Sequence, residues 1–569
     1  MDTPNKPEVT LEGKDVVNLW LEGRDAWNRW VKKNPDANVD FGCIDFSKCR
    51  GTGKHLISFE RYKFPNGGVS FVNAIFGEGC VSFKGATFGE GCVSFKGATF
   101  GDGYVWFVGA IFGVGDVLFN GANFGDGDIS FIGATFGDGY VSFNSACFGD
   151  GYVSFNSACF GDGDVSFDDV TFGDGDVSFS GATFGGGSVS FNGASFGKGM
   201  KSFDTATFGT GNVTFYKAIF ESGNVTFDKA MFGFGNVSFY RAKFGNGNFR
   251  FNNVNFGEGN VSFFGATFGV GSISFDKAAF GTGNVTFNKA TFGGTFVSFD
   301  RADFGDGYTD FRVTHFGKGK LKLERINCKY ISFELPMQKS DTPSPAIDLT
   351  TFTLRGAAID GPLIMNNMEF NCIPDLRSTK LTHHVDMDGL KVNLVREKGS
   401  WKTCWHRYVK DKTAQSKLGR MKEIAEQFKH HHEALKFNAL ENQAKRWVNE
   451  PSFIKNVMDM LYSFVSDYGR SYVRPMIGLA LSWLYFAMSY TLIAFIAAGK
   501  LPNLLHMLGF AVVNSLPFIP IGRSIRTKAE ALYFSGSVDW VYGFITVQSI
   551  VSLILIFLIG LGLRNQFRL

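Results

Sequence analysis

Two carboxylates one residue apart can share a hard cation, and the string GDGD occurs at residues 161–164 and again at 173–176. Oxygen donors of this kind suit calcium. The surrounding period is twelve residues, which is wrong for the nonapeptide solenoids that bind calcium. A second cluster, His430, His431 and His432, sits in HHHEAL, which is not H-E-x-x-H. Neither a Cys nor a further His stands at ligand spacing on the same helix face. The one G-x-S-x-G string, GASFG at 193–197, is a copy of the repeat unit described below, and the chain has no Walker loop. The sequence therefore predicts no catalytic residue, no cofactor and no metal, and a protein that acts by binding.

The 569 residues are too many for one ordinary core, and 71 Gly and 65 Phe are unevenly placed. The stretch FGDGYVSFNSAC at 136–147 recurs letter for letter at 148–159. Phe59 recurs every twelve residues to Phe311, then Leu323, and a second column runs from Phe64 to Phe316. The unit is V-S-F-x-x-A-x-F-G-x-G-x. Val81 with Phe83, and Ala86 with Phe88, share a face, as residues two apart in a strand must. Strands this short suit the sides of a solenoid. A twelve-residue coil leaves no room for two Phe rings and would stack Cys80 on Cys92. Two units, 24 residues, are therefore expected per coil. Columns 59–323 then make about eleven coils, and ~4.8 Å per stacked strand gives a rod about 50 Å long. The corner glycines are expected at positive φ, and the outward Ser/Thr row at a solvated surface.

The frames VSFKG (81–85) and ATFGE (86–90) resemble the pentapeptide-repeat family. That resemblance implies an all-β solenoid, a right-handed quadrilateral β-helix, followed here by an α-helical linker and transmembrane helices. The implied organisation is an N-terminal cap at 1–40, β-helix at 41–395, a basic amphipathic linker at 396–465 and a membrane module at 466–569. WNRWVKKNPDANVDF resembles the usual start of bacterial members. Trp20, Trp27 and Trp30 fall on one helical stripe that caps the first coil against edge pairing. That coil is expected near Phe41 and Phe46, with an insertion before Phe59. Residues 336–348 read as a loop inserted in the last coils. Met421, Ile424, Phe428, Leu435 and Phe437 suggest an amphipathic helix with a break.

Residues 476–498 and 540–563 are long and apolar enough to span a ~30 Å hydrocarbon layer. Between them, 503–521 is apolar but interrupted by His506, Asn514, Pro517 and Pro520. Arg470, Arg474, Arg564 and Arg568 favour one side for both outer ends, so two spans plus a re-entrant segment are expected. Three spans would instead put Arg523, Arg526 and Lys528 inside. SDYGRSYVRP (466–475), NSLPF (514–518) and FLIGLGLRNQFRL (557–569) resemble the C-terminal module of membrane-bound bacterial pentapeptide-repeat proteins. The motif leading into the first span comprises Asp467, Tyr468, Gly469, Arg470, Ser471, Arg474 and Pro475. The span, broken segment, span order resembles two-helix potassium-type channels, which implies a homo-oligomer. No T-V-G-Y-G filter exists, so potassium selectivity does not carry over. Asn514, Ser515, Pro517 and Phe518 are the candidate pore or re-entrant lining.

No secretory leader precedes the nine Cys, so reduced, cytosolic thiols are expected. Between 78 and 176 fourteen acids face two bases, whereas 198–312 is nearly balanced, eleven bases to nine acids. Asp126, Asp128, Asp162, Asp164, Asp174 and Asp176 are expected to form an acidic face. Such a surface repels nucleic acid and anionic lipid. The expected function is a β-helical scaffold or sensor on the cytoplasmic side of the bacterial inner membrane, with the lipid bilayer and an unidentified protein as partners. One alternative is an oligomeric channel-like or membrane-permeabilising protein, a defence effector among them, gated by the β-helix. Another is a DNA mimic acting on a topoisomerase, as gyrase-binding members of the family do.

Overall fold

The computed structural model describes residues 9–50, 56–294, 296–333, 349–398, 407–448, 452–499, 501–516, 521–534 and 538–567. It forms two compact units, Met1–Asn393 and Leu394–Leu569.

The first unit is a parallel β-solenoid. Val81 pairs with Val105, and Val105 with Ile129. The intervening dodecads pair among themselves, Val93 with Val117 and Val117 with Val141. Alternate dodecads thus build two opposed sheets, of sixteen and thirteen strands. Shorter ladders through residues such as Cys147, Thr171 and Ser195 form the remaining sides. Cys147 lies between Asn123 and Thr171, while Cys159 lies between Thr135 and Thr183, so the two cysteines never stack. The 24-residue coil is the one observed.

Phe rings fill the interior in four columns. Phe71 stacks on Phe95 at 4.7 Å and 1°, and Phe83 on Phe107 at 4.8 Å and 1°. The outer columns behave alike, Phe88 on Phe112 at 4.8 Å and Phe76 on Phe100 at 4.6 Å. The two inner columns meet edge to face, with Phe83 5.4 Å from Phe95 at 87°. Both geometries are favourable for aromatic quadrupoles. Val81 and Ala86, fully buried, fill the space left by the rings.

The corners follow the expectation in part. Positive φ occurs at the plain corner, at Gly85 (φ 60°) and equally at Ser145 (57°) and Lys217 (55°), and at F-G-x-G corners such as Gly101 (65°), Gly125 (65°) and Gly281 (64°). At other F-G-x-G corners, Gly113 and Gly115 do not take positive φ. They are glycine because an added Cβ would overlap the carbonyls of Gly89 and Gly91 one coil earlier. The Ser/Thr row is also not simply solvated. Ser82, Ser142, Ser154 and Ser178 are buried. Several hydroxyls of the row bond across coils: Ser82 Oγ donates to Glu60 at 2.6 Å, Ser178 Oγ to Asn156 at 2.5 Å and Thr226 Oγ1 to Asp204 at 2.6 Å.

Helices α1 (Gly13–Leu21) and α2 (Arg24–Lys33) close the first coil, with the chain bending at Gly23 (φ 94°). The bend divides the expected single stripe, yet its tryptophans still serve as the cap. Trp27 is fully buried, stacks on Phe41 at 5.6 Å and donates Nε1–H to the Lys63 carbonyl at 2.8 Å. Trp20 stacks on Phe59 at 5.5 Å. Phe41 stacks on Phe71 and Phe46 on Phe76, so the extra residues of this coil fall before Phe59. The inserted stretch 336–348 lies outside the described residues. Beyond it the period shortens, with Leu363 on Val385 and Glu369 on Lys391.

The second unit begins with an antiparallel pairing of Arg396–Lys398 with Arg407–Val409. Helices α3 (Ala414–Gln427) and α4 (His431–Lys445) pack together over buried Met421, Ile424 and Phe437. The break falls at Phe428–His430. His431 and His432 are exposed. Then come α5 (Phe453–Ser466), α6 (Val473–Ala498), α7 (Leu504–Ser515), α8 (Ile521–Tyr533) and α9 (Val538–Gln566).

The rings stabilise the rod only as continuous columns. Replacing Phe155, stacked between Phe131 and Phe179 at 4.7 and 4.8 Å, by Ala leaves a cavity in a dry interior. The expected cost is about 3–5 kcal/mol, read as a lowered midpoint in thermal or denaturant unfolding, with a smaller loss for Phe155→Leu.

Candidate functional site

Helices α6 and α9 carry segments of 24 and 28 residues that are long and apolar enough to cross a membrane. Much of their apolar surface is open, including Leu481, Leu492, Ile496, Ile550 and Phe557. Helix α7 has only twelve residues, about 18 Å, too short to cross a ~30 Å layer alone.

The motif before the first of these helices is a left-handed turn. Asp467, Tyr468 and Gly469 take φ of 51°, 57° and 77° in succession. Gly469 has no space for a larger residue, since an added Cβ would lie 2.9 Å from Leu561 Cδ2. Its N–H donates to Ser466 Oγ at 3.1 Å, and its carbonyl accepts from Asn565 Nδ2 at 3.0 Å. Gly562 of α9 lies against the Tyr472 backbone, where an added Cβ would sit 2.8 Å from the nitrogen. The two separate motifs SDYGRSYVRP and FLIGLGLRNQFRL therefore meet in space. Tyr468 OH donates to Asp459 Oδ2 at 2.8 Å and accepts from Arg446 Nη2 at 2.7 Å. Burial, then the Asp459 hydrogen bond, pushes the Tyr468 phenol well above its ordinary value. Arg446 and Asp459 form a salt bridge that sequence reasoning missed, because thirteen residues and a helix boundary separate them. Arg470 pairs with Asp467 at 3.5 Å, Ser471 Oγ accepts from the Arg474 N–H at 3.2 Å, and Pro475 is buried in the first turn of α6.

Asn514 and Ser515, read from sequence as lining, are fully enclosed within their own bundle. Ser515 Oγ accepts from Trp483 Nε1 of α6 at 2.8 Å and from Gln548 Nε2 of α9 at 3.2 Å, and lies 3.0 Å from Ser552 Oγ. Gln548 also donates to the Ala511 carbonyl at 2.6 Å and accepts from Tyr490 OH at 2.8 Å. Asn514 Oδ1 accepts from Arg526 Nε of α8 at 2.8 Å, and its carbonyl from Ser549 Oγ at 2.9 Å. This knot ties four helices together, as polar side chains do between apolar helices. Pro517 and Phe518 lie outside the described residues. The available signal for the missed partners was the run Q-S-I-V-S at 548–552 inside an apolar stretch.

The six selected aspartates divide between two opposite edges of the solenoid rather than forming one face. Asp126, Asp128, Asp174 and Asp176 precede strands of the thirteen-stranded sheet, and Asp162 and Asp164 a strand of the sixteen-stranded one. Each accepts from a backbone N–H one coil later: Asp150 N–H to Asp126 at 3.2 Å, Tyr152 to Asp128 at 2.9 Å, Ser188 to Asp164 at 2.7 Å. Gly186 N–H donates to Asp162 at 2.8 Å, Lys198 to Asp174 at 3.2 Å and Met200 to Asp176 at 2.6 Å. The Lys198 ammonium, 2.6 Å from Asp174 Oδ2, holds that carboxyl below the usual range. Further along the rod Asn performs the same task, in the ladder Asn212, Asn236, Asn260, Asn284 at 2.8–2.9 Å per step.

Lys201 stands where the repeat places an inward Val, between Val177 and Val225. It is fully buried, and its ammonium donates to the carbonyls of Gly197 and Ser222. Burial pulls its pKa down to about 8. The eight described cysteines are free. Comparison with family models, curated proteins and solved structures finds no match for this chain.

Two outcomes follow for these sites. Gly469→Ala adds a side chain at positive φ against Leu561, and should cost the second unit about 1–3 kcal/mol, measured by unfolding in detergent. Lys201→Met should stabilise the solenoid at pH 7 by on the order of 2–3 kcal/mol. The wild-type penalty is complete below pH 8, where Lys201 is charged both folded and unfolded. It is relieved between pH 8 and the ordinary 10.5, because only the unfolded chain then holds the proton. The difference in melting midpoint between variant and wild type should shrink across that window.

Proposed function

We propose that this chain is a membrane-anchored binding scaffold. In this reading α6 and α9 cross the bacterial inner membrane, and the β-solenoid, on the cytoplasmic side, presents its acidic edges to a basic surface on a protein partner. The bacterial and pentapeptide-repeat assignments rest on the sequence resemblances.

One observation carries the binding role. Where a corner position carries Asx, its side-chain oxygen accepts the next coil's N–H, and Asn supplies it as well as Asp does. The fold therefore does not require the negative charge between Asp102 and Asp176. Charge that the architecture does not need is available for recognition, and it favours partners of opposite sign over nucleic acid. The hydrogen bonding of Ser515 and Gln548 within one bundle supports an anchor rather than a conducting element. A dye-filled vesicle carrying the protein is accordingly expected to stay sealed.

The test replaces six carboxylates by their isosteres, D126N, D128N, D162N, D164N, D174N and D176N, in the full-length protein. Far-UV circular dichroism, melting midpoint and membrane fractionation should be unchanged. Cross-linking in cells should lose the partner adduct seen with the wild type, and added salt should weaken that adduct in membranes. An unchanged adduct in the folded variant would reject the acidic edges as the binding surface.

A further inference from the structure

Helices α6 and α9 leave an open apolar groove of about 900 Å³ between them, walled by Ile477, Leu481, Val551 and Leu555. A second groove, of about 590 Å³, continues it past Tyr485, Phe486 and Val547 toward Trp540. From Arg474 to Phe486 the floor follows twelve residues of α6, about 18 Å at 1.5 Å per residue. One leaflet of hydrocarbon is about 15 Å thick, so the groove has the length of one acyl chain. Gly478 keeps it open, since an added Cβ there would already touch Leu555 at 3.4 Å.

The mouth is cationic. Arg474 is exposed in the first turn of α6, with Nη1 3.5 Å from the Ser463 carbonyl. Among the described residues no carboxylate pairs with it, whereas neighbouring Arg470 is paired with Asp467. A guanidinium without an acid, at the end of a chain-length apolar channel, matches a phosphate joined to an acyl chain. We propose that this groove binds one anionic phospholipid, its phosphate on Arg474 and one chain along Gly478 and Leu481. The inference rests on the membrane reading above.

The test uses full-length protein in detergent, titrated with phosphatidylglycerol, phosphatidylcholine or glycerol phosphate and read by native mass spectrometry. Phosphatidylglycerol should be retained at about tenfold lower concentration than phosphatidylcholine, and glycerol phosphate should not be retained. Arg474→Gln should remove the preference and Arg474→Lys should restore part of it. Gly478→Leu, which fills the groove and spares the arginine, should reduce retention of both lipids. Equal retention of the two lipids, a preference that survives Arg474→Gln, or a lipid-free dimer would overturn the proposal. Vesicle flotation separates the two levels. Protein that fails to float rejects membrane anchoring, and protein that floats without lipid preference rejects only this site.

Discussion

Parallel strands stack ~4.7–4.9 Å apart, and in this solenoid every Phe must meet its copy at that spacing. Centroid separations such as 4.7 Å for Phe71 on Phe95, 4.6 Å for Phe76 on Phe100 and 4.8 Å for Phe83 on Phe107 follow directly. Rings so close and so nearly parallel leave no space for water. Each contributes ~1.5–3 kcal/mol of burial, and the columns also fix the width of the coil. A smaller residue would leave a void and a larger one could not repeat. The four columns explain why the period holds with so little variation over more than two hundred residues.

The same close approach determines the corners. Coils spaced by one strand bring carbonyl against Cα at F-G-x-G turns such as Gly113 and Gly115, where an added Cβ would overlap the previous coil. Backbone donors at that turn need acceptors, and Asp or Asn reaches from the coil before. The surface of the rod is thus partly architectural, since an Asx oxygen accepts the next coil's N–H at many steps. Its sign is not required, and the change from Asp-rich to Asn-rich ladders lets one scaffold carry charge on one half only.

The coil length, the ring columns and the tryptophan cap were all legible in the sequence, because exact periodicity records stacking. Reasons that involve two coils at once were harder to read. The glycines of Gly113 type looked like conformational glycines, and their steric reason appears only when residue i meets i−24. The Ser row looked outward by alternation, yet Ser178 is closed over by Asn156 of the previous coil. Lys201 broke the Val column visibly, but its carbonyl partners lie on the corner and the following coil. In the second unit the polar breaks were visible, whereas the ties from Asn514 and Ser515 to Gln548, Ser549 and Arg526 depend on helix packing that no local pattern encodes.

Everything built on the rod depends on two dodecads closing one turn. Disulfide trapping tests this most directly. Cys147 and Thr171 are in-register neighbours on adjacent coils, at a spacing compatible with a bridge. Mild oxidation of the Thr171→Cys variant should join position 147 to position 171, identified by peptide mass spectrometry, and should never join Cys147 to Cys159. A bridge between Cys147 and Cys159 in the folded protein would mean that a single dodecad completes the turn, contradicting the account.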